Sequence, residues 1–239
     1  MVDVSDDRIS DNSMIDEDIM NEIILDVSGV SKIYDRKWAA LQEVSLQLGR
    51  GEFVLLVGPC GAGKTTLMRL ICGQERPTAG IIRVAGLDVG GMRTSYLPRL
   101  RRRLGIVFQD GKHLVDRTIF ENIAFVLRAT GTRKKDIAKR AMTALTLVGL
   151  AHKSRCLPGQ LSGGEQRKAA IARAIVNKPI LLLADEPTGN LDPLASQEIL
   201  DLLTRINRFG TTVLLATHDT NLVRELPHRR IELAAGCLS

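Results

Sequence analysis

The chain has 239 residues and a formal net charge of +6, with 44% hydrophobic and 3% aromatic residues. That length suits one large α/β domain or two small ones. No apolar stretch approaches the roughly 18 residues of a membrane span, and no signal peptide is legible at the N-terminus, so the sequence predicts a soluble protein that meets a membrane only through a partner. Four cysteines, at positions 60, 72, 156 and 237, show neither CxxC pairing nor metal-ligand spacing and fit reduced thiols in the cytosol.

Charge is uneven along the chain. Residues 1–22 carry Asp3, Asp6, Asp7, Asp11, Asp16, Glu17, Asp18 and Glu22 against Arg8 alone, a net −7 that leaves +13 for the rest. The acidic tract lacks sustained periodicity and reads as a disordered tail. A basic body with few aromatics suits an anionic membrane surface or a nucleotide better than base-stacking recognition of nucleic acid, and no nucleic-acid partner is expected.

Order is expected from Ile23, with strands at Ile23-Ile24-Leu25 and Val44-Ser45-Leu46-Gln47-Leu48. Tyr34 lies between them, where an aromatic ring suits either packing in a loop or stacking on a flat ligand. Phe53-Val54-Leu55-Leu56-Val57 is a continuous apolar run and predicts a buried parallel strand. Gly58-Pro59-Cys60-Gly61-Ala62-Gly63-Lys64-Thr65 follows and fits G-x-x-x-x-G-K-[ST]. From Thr66 to Cys72, Leu67, Leu70 and Ile71 recur at helical spacing, and Gly73 is placed to end the helix. Strand, glycine-rich turn and helix are the setting a phosphate-binding loop needs. Its glycines let backbone N–H groups turn inward around a phosphate, and the helix N-terminus adds favourable partial charge. Lys64 reaches the β- and γ-phosphates in such a loop, and the Thr65 hydroxyl is a ligand for Mg²⁺. Cys60 brings a thiol close to the phosphates, as a tolerated small side chain or as a redox-sensitive one.

Beyond this loop, Ile81-Ile82-Arg83-Val84 predicts a strand. A basic cluster, Arg93, Arg99, Arg101, Arg102 and Arg103, leads into the apolar run Ile106-Val107-Phe108. Residues 112–160 turn helical. Thr118 and Glu121 form a T-x-x-E capping box before Ile119, Ile123 and Val126. A second helix is expected from about Arg133 to Val148, with Ile137, Ala141, Leu145 and Val148 inward and Gly149 as its stop. Leu161-Ser162-Gly163-Gly164-Glu165-Gln166 is another capping box, Ser162 to Glu165, opening a helix through Ile175. Its paired glycines at a helix N-terminus make a second anion site. Ile180-Leu181-Leu182-Leu183-Ala184 ends at Asp185-Glu186, and Thr211-Thr212-Val213-Leu214-Leu215-Ala216 ends at Thr217-His218. Between them Asp192-Pro193 starts a helix with Leu194, Leu202 and Ile206 on one face. Buried strands joined by a helix predict a parallel sheet whose polar strand ends gather at one edge.

Phosphate loop, second glycine pair, Asp185-Glu186 and His218 together resemble the motif set of the ABC transporter ATPases over residues 23–239. The resemblance implies an α/β P-loop fold with a mainly parallel core, an antiparallel N-terminal β part, and a helical subdomain inserted at roughly 110–163. It implies ATP and Mg²⁺ as ligands. By position, Tyr34 matches the adenine-stacking aromatic, and Gly58 through Thr66 (Gly58, Pro59, Cys60, Gly61, Ala62, Gly63, Lys64, Thr65, Thr66) match the phosphate cradle. Gln109 matches a glutamine that senses Mg²⁺ and the attacking water, Asp185 the Mg²⁺-holding carboxylate, Glu186 the general base, and His218 a γ-phosphate contact. Asn190-Leu191-Asp192 resembles the loop coupling two active sites. Ser162, Gly163 and Gly164 would bind the γ-phosphate of a nucleotide held by a second copy, which implies a head-to-tail homodimer.

Three segments, 101–110, 116–122 and 184–192, resemble the cell-division branch of that family, whose ATPases drive an integral membrane permease-like partner. The third is shared with the lipoprotein-release and macrolide-export branches, which stay open as alternatives. A DNA-associated ATPase of the same family is a remoter one, because the chain has no room for a long coiled-coil insertion. Arg167-Lys168 departs from the Gln-Arg usual after the second glycine motif.

Overall fold

The computed structural model describes residues 23–35, 37–108, 113–219 and 226–238. The acidic tract 1–22 and Gln109 lie outside these. The elements run β1 (Ile23–Tyr34), β2 (Trp38–Gly49), β3 (Phe53–Val57), α1 (Lys64–Ile71), β4 (Ala79–Val84), β5 (Leu87–Asp88), α2 (Leu97–Arg101), β6 (Leu104–Val107), α3 (Ile119–Ala129), α4 (Lys134–Leu147), α5 (Gly163–Ile175), β7 (Leu181–Asp185), α6 (Pro193–Arg208), β8 (Thr212–Thr217), β9 (Arg229–Ala234) and β10 (Cys237–Leu238).

Two sheets result. One is antiparallel, in the order β2-β1-β4-β5, and the other runs β10-β9-β3-β8-β7-β6. In the second, β9, β3, β8, β7 and β6 are all parallel, and only β10 is antiparallel. The strands β3, β7 and β8 read as unbroken apolar runs because both faces of this sheet are covered. Leu55, Leu182, Ala184, Val213 and Leu215 point into a core built with α3, α4, α5 and α6. The alternate residues Val54, Leu56, Leu181, Leu183, Leu214 and Ala216 join a second core with α1 and the antiparallel sheet. The helices α3 and α4 therefore share a core with one face of the sheet.

The helix signals are realised locally. Thr118 and Glu121 cap α3 reciprocally, and Ser162 and Glu165 do the same for α5. Gly73 and Gly149 take positive φ, 65° and 77°, just past α1 and α4, as helix ends that need a left-handed residue do. Two expectations are corrected. The strand β2 begins at Trp38, six residues before Val44, because register shifts around Val30 and a positive φ at Glu43 interrupt the alternation that marks a strand. Leu194 does not share the buried face of α6. It is 81% exposed, while Ile199, Leu202, Leu203 and Ile206 are buried. It sits one residue after the first residue of the helix, beyond the edge of the packed surface.

Candidate active site

The C-terminal ends of β3, β7 and β8 lie side by side, since Val57 pairs with Thr217 and Asp185 with Ala216. The loop leaving β3 wraps over them. Close approach explains its glycines. A Cβ at Gly58 would lie 2.0 Å from the Leu233 carbonyl oxygen, and one at Gly63 would lie 2.5 Å from that of Ala40. Gly63 also has φ 107° and caps α1, whose first turn presents unpaired N–H groups. Gly61 has φ 78° but open space around it, so it is needed for its conformation alone.

Lys64 is buried, and its Nζ donates to the carbonyls of Gly58 at 2.6 Å and Pro59 at 3.0 Å. It also stands 3.6 Å from Glu186 Oε1. The same carboxylate oxygen lies 2.8 Å from His218 Nδ1. Glu186 follows β7 with φ 47°, and its N–H donates to Ala216 O at 2.9 Å, extending the ladder one residue. A left-handed glutamate is a strained choice. It turns consecutive carboxylates to different tasks: Glu186 to Lys64 and His218, Asp185 to Thr65. Burial pushes the Asp185 carboxyl up, its neighbour Glu186 adds to this, and the Thr65 hydrogen bond and Lys64 oppose it. Its Oδ1 is buried without a hydrogen-bond partner.

Trp38, residues 60–66, Glu186 and His218 line a cavity of about 240 Å³ at this edge. Tyr34 is not on that lining. Burial and a hydrogen bond to Glu75 push its hydroxyl up, keeping it a donor. Trp38, which sequence reasoning passed over, is the aromatic that reaches the cavity. Its signal was the turn after Tyr34, which places the two directly opposite.

Ser162, Gly163 and Gly164 line a separate cavity of about 200 Å³ with Asn190, Leu191, Asp192 and Ala195. No residue is common to both cavities. A Cβ at Gly164 would meet Ala195 Cβ at 3.2 Å, so the start of α6 packs closely here. Gln109 lies outside the described residues, but both flanks of residues 109–112 are tied to α5. Arg167 Nη1 donates to Phe108 O at 2.8 Å, and His113 Nε2 lies 3.0 Å from Gln166 O. Lys168 pairs with Glu198 at 2.6 Å.

The model of the ABC transporter family matches residues 41–189. The chain belongs to the ABC transporter family. Membership makes this ABC ATPase an ATP-binding, ATP-hydrolysing protein on a P-loop fold with an antiparallel β part. It is 49% identical over 199 residues to the cell division ATP-binding protein FtsE of Mycobacterium tuberculosis (strain ATCC 25618 / H37Rv), covering 83% of this chain and 86% of that protein. It is equally identical over 209 residues to the FtsE of Escherichia coli (strain K12), covering 87% and 94%. Among solved structures, a dimeric ATP-binding cassette in a post-hydrolysis state, bound to ADP and phosphate, superposes with a TM-score of 0.82 at 33% identity, over 90% of this chain and 96% of that one. Among the described residues no helix of this ABC ATPase is long and apolar enough to cross a membrane.

Proposed function

We propose that this ABC ATPase is the ATP-hydrolysing subunit of a bacterial membrane complex of the FtsE kind, peripheral at the cytoplasmic face of the membrane. It drives an FtsX-like integral partner and so regulates cell-wall hydrolysis in division. The observation that carries the chemistry is the sharing of one Glu186 oxygen by Lys64 and His218 at the mouth of the phosphate loop. Likeness to FtsE proteins over most of the chain supports the branch.

In this reading residues 58–66 cradle the triphosphate, with the adenine on the side of Tyr34. Glu186 takes a proton from water as its oxygen attacks the γ-phosphorus, and ADP leaves with its bond to that phosphorus broken. His218 holds Glu186 in place and contacts the γ-phosphate, and Gln109 positions the water. The buried, unpartnered Asp185 Oδ1 beside the Thr65 hydroxyl is a hard oxygen pair that fits Mg²⁺. Among the described residues no group of three or more acidic, His or Cys side chains could hold a metal by itself, which suits an ion completed by phosphate oxygens and water. Bound there, Mg²⁺ would neutralise charge on the β- and γ-phosphates.

The cavity at Ser162, Gly163 and Gly164 is the second half of the site, offered to the nucleotide of another copy in a head-to-tail homodimer. That it shares no residue with the phosphate-loop cavity supports this, as does the dimeric state of the similar cassette. Residues at roughly 110–163 act as the helical subdomain, and the membrane partner meets the ATPase there and near Gln109.

The test is phosphate release by the purified chain with and without Mg²⁺, paired with isolation from membranes and identification of the bound integral protein. Mg²⁺-dependent turnover and recovery of an FtsX-like protein are expected. Turnover that persists in chelator, or recovery of an exporter permease, overturns the corresponding part.

A further inference from the structure

The nucleotide site leaves one basic surface without a role. Arg101 and Arg102, at and just past the end of α2, Leu104 and Ile106 of β6, Val126 of α3 and Arg173 of α5 line a cavity of about 360 Å³. The phosphate-loop cavity carries Glu186, and the one at Ser162–Gly164 carries Glu165, Asp192 and Glu198. Among the described residues, none that lines this third cavity bears a carboxylate. Arg101 is fixed against the end of α1, where its Nε donates to Cys72 O at 3.2 Å and its Nη2 to Gly73 O at 2.9 Å. Arg102 is exposed. Among the described residues neither Arg101 nor Arg102 pairs with a carboxylate. The result is a partly apolar trough bearing three guanidinium groups.

We propose that the chain's own acidic N-terminal segment, residues 1–22, occupies this cavity, with Ile15-Asp16-Glu17-Asp18-Ile19 as the run that seats. The run sets its carboxylates between two branched apolar side chains, the complement of arginines around an apolar trough, and the whole segment carries −7. Arginine matches a carboxylate with two parallel hydrogen bonds, which favours it over lysine for such a contact. The fold puts the root of the segment within reach. The strand β1 begins at Ile23, opposite Gly49. From there the N-terminal edge of the parallel sheet leads to the cavity: Val213 N–H donates to Glu52 O, Thr212 N–H to Ile180 O, and Ile180 N–H to Arg103 O. These groups stand at the starts of β3, β8, β7 and β6, so the path crosses three strand spacings, about 15 Å in all. Asp18 and Asp16 precede Ile23 by five and seven residues, a stretch of up to about 17–25 Å. Linked in cis, the run has an effective concentration on the order of millimolar, so weak individual attractions are enough to seat it. The docking needs no nucleotide and stands whether or not the chain hydrolyses ATP.

The test uses a fluorescein-labelled synthetic peptide of residues 1–22 and two full-length chains: the parent, and one whose eight tail carboxylates are neutralised (Asp→Asn, Glu→Gln). Without nucleotide, fluorescence anisotropy should show the peptide binding the neutralised chain about tenfold more tightly than the parent, whose own segment fills the cavity. Adding Arg102→Glu to the neutralised chain should weaken the peptide about tenfold, and Arg102→Ala should weaken it less. Both arginine variants change an exposed side chain, and thermal melts close to the parent's show that the fold is kept. Raising salt from about 0.05 to about 0.5 M should release the peptide. Equal affinity for the parent and the neutralised chain overturns the proposal, as does an affinity that ignores both Arg102 variants. Two further results overturn it by giving the cavity another occupant. Vesicles containing phosphatidylglycerol that bind both chains through Arg102, while the peptide binds neither, assign it to an anionic membrane surface. Light scattering that finds the parent dimeric and the neutralised chain monomeric assigns it to the segment of a second copy.

Discussion

Glu186 Oε1 lies 2.8 Å from His218 Nδ1 and 3.6 Å from Lys64 Nζ, so one carboxylate oxygen joins the ends of β7 and β8 to the phosphate loop after β3. Facing a carboxylate, the His218 Nδ1–H donates, and the pair holds Glu186 in its left-handed turn.

Glu186→Gln keeps the shape of this side chain and removes its basicity. ATP hydrolysis should fall about 10²- to 10⁴-fold, while ATP affinity stays within a few-fold of the parent. Phosphate release and equilibrium nucleotide binding, measured on the same preparation, check both halves.

Asp185 works against the fold that holds it. Burial lifts its carboxyl above the ordinary value of 3.8. The folded chain therefore binds the extra proton above that value, and this group's contribution to stability falls as pH rises through the raised pKa. In chelator at neutral pH, Asp185→Asn should melt above the parent by about 2–4 °C, or about 1 kcal/mol, with the gain shrinking as pH falls towards 4. Added Mg²⁺ should stabilise the parent and not the variant. Thermal melts across pH, with and without Mg²⁺, test this.

The loop glycines separate two physical demands. Gly58→Ala pushes a methyl to 2.0 Å from the Leu233 carbonyl oxygen, where backbone must move. It should cost more than about 3 kcal/mol. Gly61→Ala meets nothing within 4 Å and is strained only by φ 78°, so its cost should be about 1–2 kcal/mol. Urea unfolding of the two variants ranks them.

Leu194 is 81% exposed next to the cavity at Ser162–Gly164, and the adjoining Ala195 lines it. A second copy seated on that cavity would cover it. Leu194→Asp should weaken the ATP-dependent dimer of Glu186→Gln at least tenfold by placing an unpaired charge in the interface. The monomer's stability should stay within about 0.5 kcal/mol. Light scattering with and without ATP reads the first effect, and denaturant unfolding the second.

Much of this molecule is decided by short-range chemistry and is legible in the chain alone. The span Phe53–Val57, the capping boxes at Thr118–Glu121 and Ser162–Glu165, and the helix stops at Gly73 and Gly149 depend on neighbours within a few residues. The structure places each where its pattern predicts. Apolar runs through β7 and β8 signal burial on both faces without any knowledge of what covers them. Five other features needed the tertiary structure. The start of β2 at Trp38 is hidden by bulges, which break the period-two pattern although cross-strand hydrogen bonds continue. Leu194 fits the helix by spacing, but where the packed surface ends is a property of the sheet beneath. The requirement for Gly58 comes from the Leu233 carbonyl, 175 positions away in the chain. The orphaned oxygen of Asp185 and the placing of Trp38 over Tyr34 depend on which groups the folded chain brings alongside. Local patterning determines the elements and the chemical types at their ends; only packing at a distance decides which of those groups meet.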